Sequence, residues 1–110
     1  MRLVFFKVEK NIKEKGVVKL QEKALITVIG EDRVGIIAKV ATLLAEANVN
    51  ILDISQTITG GLFTMIMMVD ITNCNLEFEA LKKSLSDLGE QLNLRIEIQH
   101  ENIFRAMHRI

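Results

Sequence analysis

The stretch that decides the fold is ILDISQTITGGLFTMIMMVDI, residues 51–71. Both halves are rich in strand-forming residues, which predicts one strand over residues 51–59 and a return strand over residues 62–71. Between them, Gly60-Gly61 can adopt the positive φ angles of a tight hairpin turn. We therefore expect an antiparallel pair of strands at the centre of the chain.

A strand and a helix are predicted upstream of this hairpin. Residues 25–29, Leu-Ile-Thr-Val-Ile, are strongly strand-forming, and a helical pattern extends from about residue 35 to residue 47. Three polar positions of that helix form one narrow stripe: Lys39, Thr42 and Glu46. Because a surface helix normally has a wider polar face, we expect this helix to be covered on more than one side.

A second helix and a last strand are predicted downstream. Asn75 is the best candidate for the helix N-cap, with Glu77 placed favourably in the first turn. Apolar residues then recur at helical spacing: Leu81, Leu85, Leu88 and Leu92. Residues 94–99 alternate between apolar and polar, as a half-buried strand does, and residues 102–108 are predicted to add a short helix.

The predicted order is β-α-β-β-α-β. Two interleaved right-handed β-α-β crossovers build a four-stranded antiparallel sheet with both helices on one face. The predicted fold class is therefore α+β, with ferredoxin-like architecture. That fold has many functions, so the function has to be argued from a site.

The formal net charge of the 110 residues is zero, but the charge is unevenly distributed. Residues 1–23 hold seven Lys or Arg against three Glu, a net +4, whereas residues 24–110 hold seven cations against eleven anions, a net −4. We therefore divide the chain into a basic N-terminal extension, residues 1–23, and a folded domain, residues 24–110, that includes the short C-terminal helix.

Three interpretations of the extension stay open. It is a solvated extension or weak strand, or it is a tail that contacts nucleic acid or membrane. The third interpretation is that the stretch is not part of the native protein, whose translation then starts at Val17 or Val18. Its apolar run is too short for a signal peptide, and no segment approaches the roughly 20 apolar residues of a transmembrane helix. We expect a cytoplasmic protein with no membrane partner.

Several functions of this fold make demands that the sequence does not meet. An RNA-recognition module stacks bases on aromatic side chains of its central strands, where this chain offers only Phe63 on an acidic domain. A metallochaperone needs paired thiolates, and Cys74 is the single cysteine, which also excludes a disulfide framework. Nucleic acid is therefore not an expected partner, and no metal or other cofactor is expected.

The most informative polar segment is the first loop, Gly30-Glu31-Asp32-Arg33-Val34-Gly35. The start of a helix favours a carboxylate, Arg33 can pair with one, and Asp32 can accept an ammonium group or cap the helix. Asn50 and Asp53 begin the next strand, which we expect to lie beside this loop. Both charge signs then converge, which suits a zwitterion; the alternative is that Asp32 only caps and that Arg33 and Asp53 are only solvated.

These residues resemble a known family. Residues 32–36 (Asp-Arg-Val-Gly-Ile), residues 48–55 (Asn-Val-Asn-Ile-Leu-Asp-Ile-Ser) and residues 63–65 (Phe-Thr-Met) are similar to the ACT domain, whose members typically bind amino acids and pair into larger sheets. Residues 103–107 further resemble small stand-alone ACT proteins of uncharacterised function, related to the regulatory protein of the glycine cleavage system.

The resemblance implies a ligand site and a mode of action. The family's ligand typically lies between the first loop and the start of the second strand, often at a subunit interface. The matching positions here are Asp32, Arg33, Val34, Gly35, Ile36, Asn50, Ile51 and Asp53. The protein is then a regulatory protein, not an enzyme, that binds an amino-acid-like ligand and modulates a partner enzyme or transcriptional regulator; the alternative is a ligand-free dimerisation or interaction module.

No catalytic residues are expected. Cys74 would need a neighbouring base, and neither His100 nor His108 is at a spacing that implies proximity. The same two histidines with Glu101 do not have the spacing of a helical metal site, and a carboxylate pair of Asp32 with Asp53 lacks an activated nucleophile.

The central strands predict a homodimer. Leu62, Ile66 and Met68 lie on one face of the return strand, and the other face is also apolar. In a monomer with helices on one face only, the opposite face of the sheet should be polar. We therefore expect a second copy to cover at least one of these surfaces.

Overall fold

A computed structural model describes residues 21–101 and, for the backbone alone, residues 2–3, 13–14 and 17–18. The elements in chain order are β1 (Arg2–Leu3), β2 (Lys13–Glu14), β3 (Val17–Val18), β4 (Lys23–Glu31), α1 (Ile36–Glu46), β5 (Asn50–Thr59), β6 (Leu62–Asp70), α2 (Phe78–Leu92) and β7 (Leu94–His100). The predicted short helix over residues 102–108 lies outside the described residues.

The predicted ferredoxin-like fold is confirmed. From β4 onward the order is β-α-β-β-α-β, and β5, β6, β4 and β7 lie side by side in that order with every neighbouring pair antiparallel. The hairpin turn between β5 and β6 has Gly60 at φ 59° and Gly61 at φ 84°, which are the positive angles expected of it.

The hydrophobic core lies between one face of this sheet and the two helices. Alternate residues of β4, β6 and β7 are buried on that face, and they include Ile26, Met65 and Ile96. α1 contributes Ile36, Val40 and Leu44 to the same cluster, and α2 contributes Leu81 and Leu85. Both helices therefore cover the same face, and no helix within residues 21–101 covers the other face, here called the open face.

The extension adds short strands to this fold. β1 pairs with the edge strand β5, with Arg2 opposite Ser55 and Leu3 opposite Ile54, so the sheet has five strands. β2 and β3 pair with each other. The division of the chain at residue 23 stays a prediction, because β4 itself begins at Lys23.

Asn75 does not cap α2, so that prediction is wrong. The N-cap is Glu77, and no side-chain hydrogen bond from the described residues caps the helix. Asn75 instead donates from Nδ2 to the carbonyl oxygen of Glu46 at 2.9 Å. Its backbone N–H donates to the carbonyl oxygen of Ala47 at 3.0 Å. It therefore satisfies carbonyl groups at the C-terminus of α1 and fastens the segment after β6 to that helix.

Helix α1 is covered on one side within this chain, not on more than one as predicted. Its buried residues follow a single stripe, whereas Ala38 and Ala45 are exposed. Much of its apolar character comes from small alanine side chains, which expose little apolar area and need no cover.

Candidate functional site

The first loop joins the end of β4 to the start of α1. β4 ends at Glu31, and α1 begins at Ile36 behind Gly35, whose φ is 90°. The backbone N–H of Asp32 donates a hydrogen bond of 2.9 Å to the carbonyl oxygen of Gly61. The loop is thus fastened to the β5–β6 turn, and a positive φ at Gly35, which glycine adopts without steric cost, directs the chain into the helix.

Asp32 does not cap α1, so the capping interpretation is wrong. The N-cap is Gly35, and no side-chain hydrogen bond from the described residues caps this helix. Asp32 and Arg33 are exposed, and neither charged group has a hydrogen-bond or ion-pair partner within residues 21–101. The first-turn N–H groups of α1, one carboxylate and one guanidinium are therefore presented together on one short loop.

The two apolar residues of the loop contribute differently. Val34 is fully exposed, with 100% of its surface accessible, whereas only 2% of Ile36 is accessible. The Ile36 side chain belongs to the core, so the residue can offer a ligand no more than its backbone N–H. Val34 therefore presents an apolar side chain to the solvent, where a ligand or a partner can contact it.

Asn50, Ile51 and Asp53 lie at the opposite end of the sheet, so the prediction that they lie beside the first loop is wrong within one chain. Asn50 is opposite Asp70, and Asp70 is opposite Lys23, the first residue of β4. β4 has nine residues. At about 3.3 Å per residue, its two ends are about 26 Å apart.

The physical reason is the crossover connection. α1 returns the chain to the level at which β4 began, so the parallel strand β5 starts there and not at the loop. Asn50 is exposed, and Asp53 lies half-buried beside Met68 on the open face of the sheet. Ile51 is opposite Val69 on the core side, before a bulge between Ile51 and Asp53.

A hydrogen-bonded carboxylate, Asp70, lies at this same end. Partial burial raises the pKa of Asp70, but three hydrogen bonds and the charge of Lys23 outweigh burial, and the pKa is lowered overall. Thr72 donates from its hydroxyl and, at 2.9 Å, from its backbone N–H, and Gln21 donates from Nε2 at 3.1 Å. Asp70 is therefore ionised at neutral pH and engaged in the structure.

The open face of the sheet carries an apolar patch. Its members are Leu25, Ile29, Leu62, Ile66 and Met68, here called the open-face patch. Ile29, Leu62 and Ile66 are 43%, 49% and 44% exposed. The two-faced apolar character predicted for β6 is therefore confirmed, and the homodimer inferred from it stays a prediction.

Cys74 and His100 line one cavity, which sequence reasoning missed. The cavity has a volume of about 260 Å³, and its polar lining residues are Glu22, Thr72, Cys74 and His100. The His100 ring stacks on Phe78, with ring centroids 4.1 Å apart and the planes at 21°. Only the pairing of β7 with β4 and the packing of α2 bring these residues together, and no sequence spacing signals it.

The described part of the chain lacks two further features. No group of three or more His, Cys, Asp or Glu side chains there could hold a metal ion. No helix there is long and apolar enough to cross a membrane.

Comparison with known proteins defines the family. The ACT domain family matches residues 22–99. The UPF0237 protein of Methanocaldococcus jannaschii is 53% identical over 88 residues, which are 80% of this chain and 98% of that protein. An ACT domain protein from Streptococcus pneumoniae is 41% identical with a TM-score of 0.67, over 76% of this chain and 93% of that one.

A third similar protein is the solved structure of a candidate glycine cleavage system transcriptional repressor. It is 29% identical with a TM-score of 0.63, over 74% of this chain and 46% of that one. The chain belongs to the ACT domain family of regulatory modules and, within it, to the small UPF0237 proteins. The resemblance drawn from the sequence is therefore confirmed.

Proposed function

We propose that this protein is a cytoplasmic regulatory protein that binds a small amino-acid-like ligand at the first loop and modulates a separate enzyme or transcriptional regulator. The ligand site consists of Asp32, Arg33, Val34 and the backbone of Gly35 and Ile36 from one copy. Asn50, Ile51 and Asp53 come from a second copy.

One observation carries the proposal: Asp32 and Arg33 are exposed and have no partner within residues 21–101, at the start of a helix without a side-chain cap. The guanidinium and the first-turn N–H groups of α1 are donors for a ligand carboxylate. The Asp32 carboxylate is an acceptor for a ligand ammonium. A zwitterion satisfies all three, whereas a phosphate would face the Asp32 charge.

The geometry of the sheet supports a site shared by two copies. The loop and the start of β5 lie at opposite ends of one chain, about 26 Å apart along β4. A two-fold axis perpendicular to the strands makes the strands of the two copies antiparallel. The first loop of one copy then lies at the same level as the start of β5 in its partner. The exposed open-face patch supplies an apolar surface for such a partner.

Ligand binding would act by population shift. A ligand that bridges two copies stabilises the dimer arrangement in which both halves of its site are in contact. To shift the protein from almost entirely one dimer arrangement to almost entirely the other, the ligand must bind the second arrangement more tightly by about 5 kcal/mol. A partner that binds only one arrangement then senses the ligand.

A ligand-free dimerisation module is the second candidate, favoured by the same open-face patch. It predicts the same dimer but no ligand. A thermal-shift screen of the common amino acids and nucleotides separates the two functions.

The screen compares the wild-type chain with Asp32→Ala and, as a control, Glu31→Ala at the neighbouring exposed position. Under our proposal at least one amino acid raises the melting temperature of the wild type and of Glu31→Ala but not that of Asp32→Ala. The absence of any shift with the wild type would favour the ligand-free module.

A further inference from the structure

We propose that the cavity between the start of β4, the segment after β6 and the end of β7 is a second ligand site, which binds a small apolar amine in its ammonium form. Glu22 precedes β4, and His100, which ends β7, is opposite Ala24. The cavity is therefore at the Asn50 end of the sheet, opposite the first loop. The strand half of the proposed amino-acid site lies at this same end, but none of the residues of that site lines the cavity.

The volume of the cavity limits the size of the ligand. The cavity measures about 260 Å³. A dry protein cavity of about 150 Å³ holds a benzene molecule, so this one has room for about six to ten non-hydrogen atoms. A nucleotide is too large, whereas a branched amine with five carbon atoms fits.

The walls favour an apolar body. Leu76, Phe78 and Leu81 line the cavity where α2 begins, and Ile71 lines it from the segment after β6. Leu81 is fully buried, so the cavity reaches the edge of the hydrophobic core. The rings of Phe78 and His100, which stack on each other, add an aromatic part to the lining.

The charge of the lining selects a cation. Glu22 is the one formally charged residue among the described lining residues, and neither Lys nor Arg is among them. Residues adjacent in sequence to the lining add four carboxylates against two ammonium groups: Asp70, Glu77, Glu79 and Glu101 against Lys23 and Lys82. A cleft with this excess of negative charge attracts an ammonium ion and repels a carboxylate or phosphate.

The backbone holds Glu22 in place beside the cavity. Its N–H donates to Oγ1 of Thr72 at 2.8 Å, and its carbonyl oxygen accepts from the N–H of Ile71 at 2.9 Å. The carboxylate is therefore attached to a fixed point, which lowers the entropy cost of pairing it with a ligand.

The alkylation rate of Cys74 can report whether the cavity is occupied. It is the single cysteine of the chain, it is half-buried, and it lines the cavity. Its alkylation by iodoacetamide, an uncharged reagent, can be followed by intact-protein mass spectrometry with and without isopentylamine. At about four times the dissociation constant, mass action predicts that the amine slows alkylation about fivefold.

Matched ligands and variants identify what is recognised. Isopentanol has the same carbon chain with no charge, and isocaproate bears a carboxylate; we expect neither to slow alkylation at the same concentration. Glu22→Gln should abolish the effect of the amine, whereas Glu90→Gln, an exposed position on α2, should retain it. The comparison of amine with alcohol on the wild type decides the question even if Glu22→Gln is less stable.

Three results would overturn the proposal. Equal slowing by isopentanol would mean that shape and not charge is recognised, and a Cys74 that does not react without ligand would mean that the cavity is closed. The third is loss of the amine effect in Asp32→Ala, which would mean that the amine acts at the first loop. Because isopentylamine has no carboxylate for Arg33, this test and the amino-acid screen can fail independently.

Discussion

The backbone N–H of Asp32 donates a 2.9 Å hydrogen bond to the carbonyl oxygen of Gly61. This contact joins the loop that precedes α1 to the β5–β6 turn, two segments far apart in sequence. Besides reversing the chain, the turn therefore helps to fix the position of the charged loop through one backbone carbonyl group.

Substitution of Gly60 should show that backbone strain, not packing, determines the turn. Gly60 has φ 59°, and a Cβ atom there would meet nothing within 4 Å. Asn tolerates this conformation and Val does not, so we expect Gly60→Val to lower the free energy of unfolding by about 1–2 kcal/mol and Gly60→Asn to change it little. Urea unfolding of both variants tests this, and equal losses would contradict it.

A second prediction concerns Gly89 in α2, where the usual effect of a glycine-to-alanine change should be reversed. In an exposed helix this change stabilises by about 1 kcal/mol. At Gly89 the new Cβ would lie 2.7 Å from the carbonyl oxygen of Leu94 and 3.3 Å from Cγ1 of Ile96. We expect Gly89→Ala to destabilise the fold by about 1–2 kcal/mol, as overpacking does.

The control for Gly89 is Ser86→Ala, at an exposed position of the same helix. It should be neutral or slightly stabilising, because Ala is the better helix former. Thermal and urea unfolding of the two variants give the comparison. A stabilised Gly89→Ala would show that α2 can move away from β7 without loss.

Asp70 should make stability depend on pH in the acid range. Its pKa is lowered in the folded state by the hydrogen bonds from Thr72 and Gln21 and by Lys23, against the effect of burial. A lowered carboxylate pKa stabilises the fold above the unfolded pKa of about 3.9, and this contribution is lost as the pH falls through the folded value. Asp70→Asn should therefore destabilise the protein at pH 7, and the difference from wild type should shrink below about pH 4.

Unfolding by urea at several pH values measures this difference. From the net value of a hydrogen bond to a charged group in a partly exposed setting, we expect a loss at pH 7 of about 1 kcal/mol. A difference that grows as the pH falls would have the wrong sign for a lowered pKa.

The open-face patch should mediate dimerisation. Ile66 is 44% exposed near the centre of this patch, and Thr42 is exposed on α1, on the other side of the molecule. We expect Ile66→Glu to convert a dimer into a folded monomer, because a charge would be buried in an apolar contact, and Thr42→Glu to leave the dimer intact. Light scattering at micromolar concentration gives the mass; a wild-type monomer would contradict the prediction.

The fold could be predicted from the sequence because each element has its own periodicity. The alternation of residues 94–99 and the leucines of α2 at helical spacing each allow one secondary structure, and Gly60-Gly61 fixes the hairpin between β5 and β6. Once the order is β-α-β-β-α-β, the handedness of the crossovers leaves few topologies. Local patterns and chain connectivity were sufficient.

The arrangement of the candidate site could not be predicted in the same way. Asn50 and Asp53 follow the first loop in sequence, but the β-α-β crossover starts β5 at the level where β4 began, so closeness in sequence did not mean closeness in the fold. Asn75 had the side chain of an N-cap, yet it satisfies carbonyl groups of α1 instead. For Asn75, a tertiary contact replaced the local alternative.

The test that addresses the central claim most directly is complementation between two variants. Asp32→Ala destroys the loop half of the proposed site, and Asp53→Ala destroys the strand half. In an equal mixture after subunit exchange, half of the dimers are mixed, and each has one intact and one doubly altered site. About one quarter of the wild-type number of sites should therefore be restored.

Isothermal titration calorimetry measures the number of binding sites. The ligand is the amino acid that raises the melting temperature of the wild type in the thermal-shift screen. The proposed two-copy site predicts no binding to either variant alone and binding to about a quarter of the wild-type sites in the mixture. Wild-type binding to Asp32→Ala alone, or no recovery in the mixture, would contradict it.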